Sequence, residues 1–135
     1  MDGANGLAFD RAGNLYLAGS NTKTLLMIDR AGTMTLPADV SRFYPRGAGG
    51  LATAPDGSVL AMNGTAIVRL TPSGATTVLE LGRRDLDGVR GFQPNGVAVA
   101  RDGSVNADTW LGNGFTNATA LVRIRGSRVR VLWRR

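Results

Sequence analysis

"QPNGVAVARDGSVNADTW", residues 93–110, holds two Asn, two Asp, tight glycines and a Trp, and has the look of a catalytic motif. Residues 4–20, "ANGLAFDRAGNLYLAGS", have nearly the same shape without the second acid. The stretch is therefore first a structural repeat, and any chemistry has to be read against that repeat.

Gly6, Gly50 and Gly96 each open a short apolar run, "GLAFD", "GLATA" and "GVAVA", at spacings of 44 and 46 residues. Each run meets a turn ("RAGN", "PDGS", "RDGS") and a second short strand ("LYLA", "VLAM", "SVNA"). A third strand follows at 24–28, 66–70 and 120–124, then a polar turn and a fourth strand ("TMTL", "ATTVLEL", "RVRVLW"). Asp56-Gly57 and Asp102-Gly103 are hairpin signals, because glycine takes φ > 0 without steric cost. Four short antiparallel strands every ~40–50 residues are the signature of a β-propeller blade. No window sustains helical periodicity, and "ADVSRFYP" at 38–45 is cut short by Pro45. The expected fold is all-β, with blades at 5–48, 49–94 and 95–135.

Composition agrees and excludes several chemistries. Nineteen glycines in 135 residues are about twice the usual ~7%, and they recur at fixed places. With neither Cys nor His, thiol nucleophiles, Ser-His-Asp triads, disulfides and imidazole or thiolate metal sites are ruled out. A metal would have to accept oxygen ligands. The net charge of +6 rests on 15 Arg and one Lys. The chain as written begins without a basic segment leading into an apolar one, and no apolar run approaches the ~18 residues of a membrane helix. A soluble chain with no membrane partner and no visible signal peptide is expected; the compartment is left open.

The repeat phrasing resembles NHL-repeat propellers and the related regucalcin/gluconolactonase (sugar-lactone hydrolase) family over essentially the whole chain. Both usually close six blades, so the resemblance implies half a ring, completed by a second copy under twofold symmetry or by other blades. It also implies relatives that are often extracytoplasmic. In the hydrolases, an Asn in an N-G-L/V context at the start of an inner strand lines a central metal site. Asn5 and Asn95 stand in that context, with Gly49 at the place in blade two. Asp108 stands where such repeats often hold an acid. The resemblance thus implies Asn5, Asn95 and Asp108 as ligands of Ca²⁺ or another oxygen-liganded divalent metal, with Asp108 the candidate catalytic residue. Asn95 to Asp108 spans 13 residues against 14 from Asn5 to its assumed counterpart Gly19, which reads as one residue lost from a strand. Glu80 is the sole Glu, so no N-terminal glutamate ligand is evident. The structural alternative makes Asn5 and Asn95 turn residues and has Asp108 bond its own backbone in a loop.

The dissimilar loops 18–24, 36–49, 81–95 and 106–119 all leave one face, where recognition usually lives. The insertion "LGNGFTNAT", 111–119, with Trp110 beside it, offers Trp110, Asn113, Phe115 and Asn117 as candidate ligand-binding residues; the aromatics fold down as the loop's private core in the alternative. "NGT" at 63–65 and "NAT" at 117–119 fit the glycosylation pattern. In "LVRIRGSRVRVLWRR", a two-residue turn at Gly126-Ser127 sets Arg125 opposite Arg128 and Arg123 opposite Arg130, all on one sheet face. That basic patch suits an anionic partner, or simply a charged edge that discourages strand addition. Three functions follow in order: a propeller module binding a small molecule or protein, a metal-dependent sugar-lactone or ester hydrolase, and RNA binding, with nucleic acid the least favoured partner.

Overall fold

The computed structural model describes residues 4–19, 24–35, 48–63, 66–71, 74–80, 93–110 and 119–135. They form three four-stranded antiparallel meanders. Blade 1 is β1 (Ala4–Phe9), β2 (Leu15–Gly19), β3 (Thr24–Ile28) and the short β4 (Met34–Thr35). Blade 2 is β5 (Ala48–Thr53), β6 (Val59–Asn63), β7 (Ala66–Thr71) and β8 (Gly74–Glu80). Blade 3 is β9 (Gln93–Val99), β10 (Val105–Trp110), β11 (Thr119–Arg125) and β12 (Arg128–Arg134). β5 packs between β1 and β9, so the first strand of each blade is innermost. The "ADVSRFYP" stretch lies outside the described residues. Among the described residues, no helix is long and apolar enough to cross a membrane.

The inner hairpins share one turn. In blade 2, the Gly57 amide donates to the Ala54 carbonyl and the Ala54 amide to the Ser58 carbonyl, each over 2.8 Å. Blades 1 and 3 repeat this at 10–14 and 100–104, and the β3–β4 turn repeats it at 29–33. Asp-Gly is therefore not the centre of a two-residue turn. The glycine is the left-handed residue after a type I turn, with φ of 84° at Gly57. Arg11 occupies the space a Cβ on Gly57 would need, and its amide donates to the Gly57 carbonyl over 2.8 Å. Turn chemistry thus ties blade 1 to blade 2.

Strand alternation builds two cores, one in each seam between blades. Ala8, Tyr16, Ala18 and Leu25 of blade 1 meet Leu51, Val59, Ala61, Val68 and Leu70 of blade 2. Leu60, Met62, Ile67 and Leu79 of blade 2 meet Val105, Ala107, Ala120, Val122 and Ile124 of blade 3. The two outward faces differ sharply. Blade 1 turns out Leu7 (62% exposed), Phe9 (58%) and Met34 (61%), with Leu15, Leu17, Leu26 and Ile28 on the same face by register. Blade 3 turns out Asn106, Asp108, Leu121, Arg123, Arg125, Arg128 and Arg130.

Candidate functional site

The inner strands start at the end of the molecule where the residue 20–23 and 36–47 connections also leave. At that end each inner strand carries a bulge, with two residues facing one on the second strand. In blade 1, Ala4 pairs with Gly19 and Gly6 with Ala18, leaving Asn5 as the extra residue. In blade 2, Ala48 pairs with Asn63 and Leu51 with Ala61, so Gly49 and Gly50 face Met62. In blade 3, Pro94 pairs with Thr109 and Val97 with Ala107, so Asn95 and Gly96 face Asp108. Asn5, Gly49 and Asn95 are thus equivalent positions on three successive inner strands, and both asparagines are exposed.

The register corrects the count made from sequence. The counterpart of Asp108 is Ala18, not Gly19, and both lie 13 residues after their asparagine. No residue is missing from blade 3. The gap in blade 2 also has a cause: a Cβ on Gly49 would lie 2.7 Å from the Asn95 carbonyl oxygen, and one on Gly50 3.0 Å from the same atom. Neighbouring inner strands approach too closely there for any side chain.

Asp108 is exposed, and its Oδ1 accepts the Gly96 amide over 2.6 Å. The carboxylate thus gives this backbone donor an acceptor at the bulge. It bonds the neighbouring strand, where the sequence alternative had it bonding within a loop. Among the described residues, no group of three or more Asp and Glu gathers to hold a metal. Trp110 ends β10, while Asn113, Phe115 and Asn117 lie outside the described residues, as do most of the four recognition loops.

The basic patch has the register that the sequence predicts: Arg123 opposite Arg130 and Arg125 opposite Arg128. Arg123 Nε donates to Asn106 Oδ1 over 2.9 Å, and Arg125 Nη2 to Asp102 Oδ2 over 2.6 Å. Asp102 and Asp56 are turn acids. Asp56 Oδ1 accepts the Ser58 amide at 3.0 Å and hydroxyl at 2.7 Å, and Oδ2 pairs with Arg69. Those bonds, the hydroxyl first, hold the Asp56 carboxyl down at about 2. The same arrangement with Ser104, then Arg125, lowers Asp102.

A cleft of about 440 Å³ between blades 2 and 3, absent from the sequence reading, opens at the turn end. Leu60, Ile67, Leu79, Val105 and Ile124 line it, with Asp56, Arg69 and Asp102 among its polar residues. Its walls come from both blades, so no single repeat signals it. Asp56 pairs with Arg69 and Asp102 with Arg125, and Arg101 also lines the cleft.

No family model matches the chain and no curated protein matches it. Solved structures do. A gluconolactonase from Xanthomonas campestris superposes at a TM-score of 0.74 with 19% identity, covering 98% of this chain and 48% of that one. A calcium-binding regucalcin from Agrobacterium tumefaciens gives 0.70 at 19% identity over 99% and 44%. Virginiamycin B lyase from Staphylococcus aureus gives 0.64 at 19% over 96% and 40%. The chain spans about half the length of the first two. At these identities the likeness establishes the fold alone: the chain is a partial β-propeller of the architecture seen in gluconolactonase and regucalcin structures.

Proposed function

We propose that the chain is a ligand-binding propeller segment whose site is the loop-bearing end of the inner strands. One observation carries the reading. Three successive bulges set the exposed Asn5 and Asn95 at equivalent positions, with the bare backbone of Gly49 between them. Amide side chains offer both donors and acceptors, so the row suits a neutral ligand rich in hydroxyl or carbonyl oxygen. Further blades from a separate propeller segment, packed against the apolar outward face of blade 1, would extend the channel.

The second reading is a metal-dependent lactone or ester hydrolase. The gluconolactonase and calcium-binding regucalcin likenesses favour it, as does the shared position of Asn5 and Asn95. The donors are hard oxygens, the right type for Ca²⁺. The set falls short of the roughly 6–8 oxygens such an ion takes: two amides and one carboxylate, whose Oδ1 already accepts Gly96. The described residues do not by themselves fit the metal.

Titrating glucono-lactone into the chain by NMR, with and without Ca²⁺, separates the readings. Saturable shifts around Asn5 and Asn95, lost in Asn5→Ala/Asn95→Ala and without turnover, are expected. Calcium-dependent ring opening that vanishes in Asp108→Ala would establish the hydrolase instead. No saturable shift at these residues would sink the binding site.

A further inference from the structure

Blade 3 breaks the rule that the other blades follow. Asn106, Asp108, Leu121 and Arg123 stand where blade 1 has Tyr16, Ala18, Leu25 and Met27, and blade 2 has Leu60, Met62, Ile67 and Arg69. In blades 1 and 2 those positions pack against the next blade. In blade 3 they merge with a cationic surface. Arg123, Arg125, Arg128 and Arg130, with Leu132, line a concavity of about 200 Å³.

Two facts make this more than a charged edge. Both cross-strand pairs set arginine directly opposite arginine, an arrangement that costs stability when nothing lies between the charges. Two of the four side chains are also held by hydrogen bonds, Arg123 to Asn106 on the adjoining strand and Arg125 to Asp102 in the β9–β10 turn. Among the described residues, Arg128 and Arg130 carry no side-chain hydrogen bond or ion pair. Asp102 offsets one charge of the four, and Asp108 is turned to the Gly96 amide.

We propose that this concavity is a binding site for a small phosphate-bearing anion. Guanidinium forks match phosphoryl oxygens two at a time and stay charged at any relevant pH. The two arginine rungs lie two residues apart, about 7 Å along the strand. A ligand with two linked phosphoryl groups bridges them and relieves both like-charge pairs at once; a lone carboxylate, with one charge, cannot. This site is separate from the inner-strand site proposed above and stands without it.

The probe is inorganic pyrophosphate, titrated by NMR at constant ionic strength. The expected result is a saturable shift of β11 and β12 amides with Kd below about 1 mM, weakened about tenfold or more in Arg128→Ala/Arg130→Ala. Both residues are exposed, so the variant keeps the fold, and unchanged amide positions in blades 1 and 2 verify it. Arg128→Lys/Arg130→Lys keeps the charge but loses the forks, and binds at an intermediate level. Failure to saturate by about 10 mM, or equal affinity in the Ala variant, overturns the proposal. So does tighter binding of poly-L-glutamate, which would assign the face to an acidic protein. Tighter binding of a ten-nucleotide RNA at equal phosphate concentration would assign it to nucleic acid.

Discussion

The Gly96 amide and the Asp108 carboxylate meet at 2.6 Å across the inner bulge of blade 3. The acid with the most catalytic look in the sequence is thereby the clamp of a backbone irregularity. Blades 1 and 2, with Ala18 and Met62 at that position, have no such clamp.

Asp108→Ala should cost about 0.5–1.5 kcal/mol, the net worth of an ordinary hydrogen bond, because solvent weakens this exposed charged one. Asp108→Asn keeps an acceptor and should cost about half as much. Urea denaturation at neutral pH measures both. Two variants as stable as the parent would show the clamp to be idle.

Gly49→Ala should be among the most damaging small substitutions. Its methyl would meet the Asn95 carbonyl oxygen at 2.7 Å and Met62 Cβ at 3.1 Å, and forced overpacking costs about 1–3 kcal/mol. Thermal denaturation gives the loss, and displaced amide resonances at Asn95 and Gly96 would locate it in the seam between blades 2 and 3.

Acid should act through the turn carboxylates. Asp56 titrates at about 2 in the fold against an ordinary 3.8, so its contribution is present above pH 3.8 and lost as pH falls toward 2. Asp102 shifts in the same direction. Asp56→Asn should flatten the acid limb of the stability curve and cost less than about 1 kcal/mol at neutral pH, because solvent screens the exposed pair with Arg69. An unchanged acid limb would refute this.

Alkali should act through Tyr16. Burial first, then the Asp10 carboxylate, pushes its hydroxyl up to about 12 from 10.0. The folded state favours the protonated form, so this contribution is whole below pH 10 and drains away between 10 and 12. Tyr16→Phe keeps the packing, gives up a long 3.5 Å hydrogen bond to Asp10, and should remove most of that slope. Denaturation midpoints across pH 9 to 12 test it, and an equal slope in both proteins would count against it.

The repeat was legible because glycine, turn residues and alternation are local signals. The Arg123–Arg130 and Arg125–Arg128 register was equally readable from one hairpin. The site was less so. A bulge is a relation between two strands, and spacing along one strand cannot reveal it; hence Asp108 was matched to Gly19 when its counterpart is Ala18. Gly49 stands at the asparagine position of blade 2 because the approach of the Asn95 carbonyl leaves no room for a side chain. The 440 Å³ cleft needs two blades side by side and leaves no mark on either.

The contrast between the leucine- and phenylalanine-bearing face of blade 1 and the guanidinium-bearing face of blade 3 gives the segment a direction. One end is a socket and the other is not its plug. Copies added head to tail would have to set four arginines, one of them paired with Asp102, against Leu7, Phe9 and Leu17. That mismatch weighs against head-to-tail stacking of copies.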